Sequence, residues 1–457
     1  MIFHKIERIH FVGIGGIGMS GIAEVLINLG FSVSGSDIRR TEVTERLEQL
    51  GAKITYEHKG DNIRTADVVV VSSAIRRDNP EVAKATELFI PVIQRGEMLA
   101  ELMRMKYGIA IAGSHGKTTT TSIASAVLAR AGMDPTCVIG GRLNSIGTNA
   151  RLGDSRFLVA EADESDGTFL LLFPTIAVVT NIDLEHLDFY KDIDEIKTAF
   201  LEFLNKVPFY GLDIICIDNP NIQTLIPHLK RRYMTYGLSK QADLRAENIE
   251  YEGFETHFKI FYKDKELGDV TLPLTGTHNV INALAACGVG IELDIPFKTI
   301  REALEAFSGI HRRLELKWPG KIRLLDDYGH HPTEIRATLS AIRRIWKDRI
   351  IVVFQPHRYT RTKALMEEFL TSFNDADVLV VTEIYPASEE RIEGVTGLSL
   401  AEKIRSGGHK NVSYAATKEE AAKQVIDIAR SGDVVITLGA GDIYKICDTL
   451  KEEWSRE

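Results

Sequence analysis

Short apolar runs alternate with helical patterns along almost the whole chain, which predicts βαβ units and mostly parallel sheets. Ile9-His-Phe-Val-Gly13 reads as a buried strand, followed by a Gly-rich turn and a helix through Ile22 to Leu29. Phe31 to Asp37 forms the next strand, and the runs Ala66 to Val71 and Ile90 to Ile93 complete a small sheet. A connecting helix is expected over Glu97 to Tyr107, with the first boundary at residue 98.

A second set opens with the buried pattern Tyr107-Gly-Ile-Ala-Ile-Ala-Gly113 and continues at Phe157 to Ala160, Ile176 to Thr180 and Asp213 to Ile217. Between Leu244 and Leu274 the period changes to two, with turn residues at Glu252-Gly253 and Lys263-Asp264, which predicts a small antiparallel patch. Helices resume from His278 to about Phe307. After Ser308-Gly309 a third alternating set places strands at Ile322 to Asp326, Ile350 to Phe354, Val378 to Thr382 and Val434 to Leu438.

A chain of 457 residues has room for roughly three domains. With 44% hydrophobic and 26% charged residues it has the balance of a soluble globular protein. The net charge of -9 argues against a nucleic-acid surface but leaves room for local Arg and Lys that meet anionic substrates. Cys137, Cys216, Cys287 and Cys447 are scattered without C-x-x-C spacing, so they read as small apolar residues in a reducing compartment. The first residues lack the pattern of a signal peptide, and no apolar run reaches membrane-spanning length. These features predict a cytoplasmic protein.

The sharpest chemical signal is Gly113-Ser-His-Gly-Lys-Thr-Thr-Thr-Thr121. The strict pattern G-x-x-x-x-G-K-[ST] would need Gly at position 111, which is Ile. The physics is present all the same: a strand ends, two glycines let amides converge on an anion, and a helix begins with its positive dipole end toward it. Lys117 can reach the β/γ-phosphates and Thr118 can ligate Mg²⁺. A purely structural turn explains less, because four successive β-branched Thr are poor helix formers.

Gly13-Ile-Gly-Gly-Ile-Gly18 contains G-x-G-x-x-G between a strand and a helix, with Asp37 ending the following strand. That spacing fits a dinucleotide or a nucleotide diphosphate, so an NAD-linked dehydrogenase and a UDP-linked sugar both remain open. Two acidic loops follow strands, Glu161-Ala-Asp-Glu-Ser-Asp166 and Asn181-Ile-Asp-Leu-Glu-His-Leu-Asp188. Oxygen ligands with one imidazole suit Mg²⁺ or Mn²⁺ beside a triphosphate. Later, Asp326-Asp-Tyr-Gly-His-His-Pro-Thr-Glu334 and Gln355-Pro-His-Arg-Tyr-Thr-Arg361 bring cations and donors that can clamp a carboxylate or phosphate.

Together these stretches resemble the Mur ligases, ATP-dependent amide-forming enzymes that build the peptide of bacterial peptidoglycan. The resemblance spans the whole chain and also includes Thr277-His-Asn-Val-Ile-Asn-Ala283 and His311-Arg-Arg313. It implies an α/β fold of three domains. A Rossmann-like N-terminal domain over 1–98 would bind the UDP substrate. A central P-loop ATPase-like domain over 99–309 would carry a mostly parallel sheet plus the small antiparallel patch. A C-terminal Rossmann-like domain over 310–457 would bind the amino acid and close the site.

On this resemblance Gly13, Gly15, Gly16, Gly18, Ser36, Asp37, Ser72 and Ser73 would meet the UDP substrate. Gly113, Ser114, His115, Gly116, Lys117, Thr118 and Thr119 would hold ATP, with Asn279 facing adenine and Arg313 near the phosphates. Thr118 and Glu161 would ligate one Mg²⁺, and His186 with Glu161 a second, Mn²⁺ being an alternative ion. Tyr328, His330, His357, Arg358 and Arg361 would line the site for the muramyl carboxylate and the amino acid. Lys117, Glu161, His186, His330 and Arg358 would carry the catalysis. The implied reaction joins L-alanine to the lactyl carboxylate of UDP-N-acetylmuramate: ATP phosphorylates the carboxylate, and the amine attacks the acyl phosphate. The implied enzyme is a monomer or homodimer with no nucleic-acid partner and no membrane insertion.

Two positions depart from the family pattern. Ser114 stands where Thr is common, keeping a hydroxyl, and Glu185 stands where Asp is common before His186. Lys197 is the nearest lysine downstream of that histidine, and it is not assigned a role. A ligase that attaches a ready-made tripeptide to the same UDP sugar is the near alternative. A dehydrogenase would leave Lys117 and Glu161 without purpose, and a non-catalytic nucleotide-binding regulator would predict damaged metal ligands.

Overall fold

The computed structural model describes residues 5–72, 75–139, 150–187, 189–387 and 389–455. Each alternating set of the sequence gathers into its own sheet. The first holds β1 (Arg8–Val12), β2 (Ser32–Ser36), β3 (Lys53–Thr55), β4 (Val68–Val71) and β5 (Val92–Gln94). They run parallel in the order β3-β2-β1-β4-β5. The order reverses at β1, so the Gly13 turn leaves the sheet at the switch point where open α/β sheets bind ligands.

The second sheet contains β6 (Tyr107–Ala112), β7 (Thr136–Val138), β8 (Ala150–Arg151), β9 (Phe157–Glu161), β10 (Ile176–Val179), β11 (Leu212–Cys216), β12 (Tyr233–Gly237), β13 (Leu244–Glu252), β14 (Glu255–Tyr262) and β15 (Lys265–Leu272). Their order is β15-β14-β13-β12-β11-β10-β6-β9-β7-β8. β6 lies between β10 and β9, parallel to both, with Ile111 opposite Glu161 and Ala112 opposite Val179. The phosphate-loop candidate and both acidic loops therefore emerge side by side at one edge. The expected antiparallel patch is β13 to β15. Lys263 and Asp264 both take positive φ, 47° and 63°, as a two-residue hairpin turn demands.

The third sheet orders β16 (Glu315–Pro319), β17 (Arg323–Asp327), β18 (Ile350–Phe354), β19 (Val378–Thr382), β20 (Val412–Ala415) and β21 (Val434–Leu438) as β16-β17-β21-β18-β19-β20. Only β16 runs antiparallel to its neighbour. It was not expected, nor were β3, β7, β8, β12 and β20. Most of these are short, and the apolar content of β12 and β20 is diluted by Thr, Tyr, Ser and Gly.

The connecting helix runs Arg95–Arg104 instead of Glu97 to Tyr107, because Tyr107 is the first residue of β6. Its Met98, Leu99, Leu102 and Met103 are buried in an apolar cluster shared by the first two sheets. The third sheet has separate clusters on its two faces. All four cysteines are buried free thiols. No helix among the described residues is long and apolar enough to cross a membrane.

Candidate active site

β6 runs straight into the loop Gly113–Gly116, whose two glycines take φ 136° and 81°. A Cβ on Gly113 would sit 2.1 Å from Thr180 Oγ1, so only glycine allows this approach. The loop is braced from β10's exit: the Ser114 N–H donates to Asn181 O, the His115 N–H to Asn181 Oδ1, and Thr180 Oγ1 to His115 O. The helix Lys117–Arg130 then starts with no side-chain cap, an arrangement that suits an anion.

Lys117 Nζ lies 2.5 Å from Gly113 O and 2.8 Å from each Glu164 oxygen. Burial opposes the lysine charge, but Glu164 and Asp163 outweigh it and raise the pKa. His186 Nε2 stands 3.5 Å from Glu164 and 3.7 Å from Glu185. Ligating atoms of Glu164, Glu185 and His186 all fall within 4.8 Å of one another, a donor set that suits a hard divalent cation. Glu161, at the end of β9, lies outside that cluster, and Thr118 is on the first turn of the helix. The acid beside Lys117 is Glu164.

The third segment closes directly over this loop. His115 Nδ1 approaches Glu334 Oε1 at 3.3 Å and its Nε2 approaches Asp183 Oδ2 at 3.2 Å. Thr333 Oγ1 donates to the same Asp183 oxygen at 2.8 Å, and the His115 and His331 rings lie 4.7 Å apart. Burial opposes a charge on His115, but Asp183 and Glu334 prevail and raise its pKa to about 10. His331 and Glu334 form the capping box of helix Pro332–Ile345, which fixes both at the contact.

Between the second and third sheets lies a cavity of about 290 Å³, near the size of small-ligand pockets. His115, Thr119, Asn279 and Arg313 line it, together with His278 and Asp327. Asn279 is anchored through its side-chain N–H to Thr275 O. Burial pushes the Asp327 carboxyl up to about 6, although it accepts the Leu314 and Gly329 N–H groups.

Tyr328 meets His330 edge-on and His330 lies tilted against His357, each pair with ring centres 5.6 Å apart. Burial and then Arg361 hold His330 well below its ordinary pKa, and His357 falls to about 3 for the same reasons with Arg358 added. Arg358 caps helix Tyr359–Ala364 at φ 71°. Arg361 donates to His357 O and points Nε toward Glu185 Oε1, 3.8 Å away.

At the first sheet, the Gly13 and Ile14 N–H groups both donate to Ser36 O. The Ser36 side chain is fully buried and donates to Glu81 at 2.6 Å, so it supports the loop from behind and offers a ligand no hydroxyl. Asp37 Oδ2 accepts the Gly15 N–H at 2.9 Å, so this acid also shapes the loop. The helix Ile17–Asn28 again starts, after Gly16, without a side-chain cap. Gly18 lies against Arg95, which pairs with Asp163 of the acidic loop at 3.2 Å. Ser72 follows β4, and Ser73 lies outside the described residues.

Sequence reasoning did not single out Glu164, Asp183, Glu334 or Arg95. The first three lie inside quoted motifs, but nothing in residue spacing says which acid faces which cation.

Three family descriptions match consecutive stretches of the chain: "Mur ligase family, catalytic domain" at residues 8–107, "Mur ligase middle domain" at 111–290, and "Mur ligase, glutamate ligase domain" at 312–441. The UDP-N-acetylmuramate–L-alanine ligase of Geotalea uraniireducens is 60% identical over 455 residues, covering 99% of each chain. That of Geotalea daltonii is 59% identical over 453 residues, again covering 99% of each. Among solved structures, the UDP-N-acetylmuramate–alanine ligase of Thermotoga maritima superposes with a TM-score of 0.83 at 30% identity, covering 98% of this chain and 99% of that one. A murein peptide ligase from Psychrobacter arcticus gives 0.72 at 25% identity, covering 98% of each.

Proposed function

The chain belongs to the Mur ligase family, and from that premise we propose that it joins L-alanine to the lactyl carboxylate of UDP-N-acetylmuramate, with ATP as the energy source. This is an amide-forming step in peptidoglycan precursor synthesis. The carrying observation is the closure of the His330–Glu334 segment over the Gly113 loop, where His115 meets Glu334. That contact brings the start of helix Lys117–Arg130 against the third-segment loop, a setting suited to an anion held between the two segments.

In the first step a lactyl carboxylate oxygen attacks the γ-phosphorus of ATP, ADP departs, and an acyl phosphate forms. In the second the amine nitrogen attacks the acyl carbon, inorganic phosphate departs, and the amine loses a proton. Lys117 and the open N–H groups of helix Lys117–Arg130 supply positive charge where the phosphoryl group transfers. The Gly13 loop and its uncapped helix end are suited to the UDP diphosphate. Mg²⁺, when bound, would neutralise phosphate charge, and Thr118, Glu161 and His186 would hold it, with Glu164 and Glu185 beside His186. Arg358 and Arg361 would take carboxylates, and the neutral His330 and His357 would add hydrogen bonds without extra charge. Water competes with the amine for the acyl phosphate, so closure across Asp183–Thr333 serves the chemistry by excluding it. We assign residues 1–98 to the UDP substrate, 99–309 to ATP and 310–457 to the amino acid, in a cytoplasmic enzyme.

Purified protein with ATP, Mg²⁺ and UDP-N-acetylmuramate should release phosphate when L-alanine is added. A far stronger response to the tripeptide would overturn the choice of alanine. Absence of ADP with every acceptor would overturn the ligase reading itself.

A further inference from the structure

Glu185 sits on the loop after β10 with a side chain only 6% exposed. Its Oε1 makes no hydrogen bond to any described residue. Buried carboxylate oxygens are normally satisfied, so an orphan of this kind points to a missing partner. The two oxygens face different neighbours. Oε2 is 3.7 Å from His186, and Oε1 is 3.8 Å from Arg361 Nε on the third segment. The Arg361 separation is too long for a hydrogen bond, so the two opposite charges face each other across a gap.

That gap opens on a cavity of about 30 Å³ between the two segments. Its walls are Leu184, Glu185, His186, Arg358 and Arg361, with Ala364 behind. The volume fits one or two water-sized groups. An amino acid in neutral water is a zwitterion, and it needs an anion for its ammonium as well as a cation for its carboxylate. The arginines supply the second requirement, and no lysine or arginine can supply the first.

We infer that Glu185 receives the ammonium of the incoming amino acid, which then bridges Glu185 and Arg361 as a zwitterion. This rests on the ligase reading above. The bridge would satisfy the orphan oxygen, span the two unlike charges from the side, and hold the nitrogen at the seam between the second and third segments. Glu185 is thus a substrate-binding residue for the amine half of the reaction, in addition to its place beside the cation ligand His186.

The test separates the two halves in the full-length enzyme. Hydroxylamine is a neutral nucleophile without a carboxylate, and it traps an acyl phosphate as a hydroxamate. Glu185→Gln should raise the KM for L-alanine by roughly ten- to a hundredfold, the loss of a charge-assisted hydrogen bond. ATP-dependent hydroxamate formation by the same variant should fall several-fold less than its alanine-dependent kcat/KM. Glu185→Asp, which keeps the charge, should recover most of the alanine dependence. Parallel loss of hydroxamate would mean that Glu185 serves phosphoryl transfer or the cation at His186, and an unchanged KM for alanine would equally overturn the inference. Failure of the wild-type enzyme to form hydroxamate would count against the acyl-phosphate reading instead.

Discussion

His115, in the middle of the Gly113–Gly116 loop, reaches across to Glu334 of the third segment, Nδ1 to Oε1 at 3.3 Å. The same imidazole touches Asp183 with its other nitrogen, so one side chain ties the loop, its brace and the closing segment together.

That tie predicts how Glu334→Gln behaves. The loop would lose its link to the third segment, and the KM for ATP should rise by about tenfold, as for a truncated buried charge pair. Binding of the UDP sugar at the distant Gly13 loop should not change. The pH dependence gives a second readout. Folded His115 keeps its proton to about pH 10, whereas an unfolded histidine releases it near pH 6.5. Its contribution is therefore complete below about 6.5 and declines as pH rises toward 10. Thermal melts across that window should show a shallower decline in the variant. An identical slope together with an unchanged KM would refute the coupling.

Arg95 makes a comparable tie on the other side of the site. Its side chain lies against Gly18 of the first glycine loop and pairs with Asp163 of the acidic loop. A guanidinium beside an uncapped helix end is well placed for a diphosphate. Arg95→Ala should weaken UDP-substrate binding by about tenfold in titrations without ATP, while Asp163→Asn should mainly lower kcat. Equal effects of the two changes on sugar binding would show that Arg95 acts only through Asp163.

Gly113→Ala tests the loop itself. The substitution meets both a backbone at φ 136° and Thr180 Oγ1 at 2.1 Å, and Thr180 is held by its own bond to His115 O. Turnover should be lost, with a destabilisation of about 1–3 kcal/mol or more. Gly132→Ala is the comparison, since Gly132 has φ 73° and open space around it. It should lose about 1 kcal/mol from backbone strain alone and keep ATP turnover. Matching losses in the two variants, by denaturant melts, would mean that the Thr180 clash is relieved.

Much of this arrangement is legible in the sequence because local chemistry dictates it. Gly113 to Lys117 announces a strand end, a turn requiring positive φ, and a helix start, all within five residues. The antiparallel patch is readable because period two is a local property. Pairing across segments is not. Glu161, Asp163, Glu164 and Asp166 are equivalent as letters, and the turn after β9 decides that Glu164 meets Lys117. Glu334 reads as a helix-capping acid, which it is, and its second task at His115 depends on how two sheets dock. Ser36 is a further case: nothing local in the sequence says that its hydroxyl donates to Glu81, 45 residues later.

Asp213 illustrates a charge that the fold tolerates at a cost. It lies in β11, fully buried, and neither carboxylate oxygen has a hydrogen-bond partner among the described residues. Burial pushes its pKa up to about 8, with only partial relief from Arg231. An unfolded aspartate releases its proton near pH 3.9, so between about 4 and 8 the folded chain holds a proton that the unfolded chain has lost. Stability from this site is therefore greatest below pH 4 and falls as pH rises to about 8, the reverse of an ion-paired carboxylate. Asp213→Asn keeps the neutral shape at every pH. It should exceed wild type by on the order of 2–5 kcal/mol at pH 9 and differ little at pH 5. Denaturant melts at the two pH values decide the matter, because a gap of the same size at both would mean that Asp213 is ionised in the folded protein.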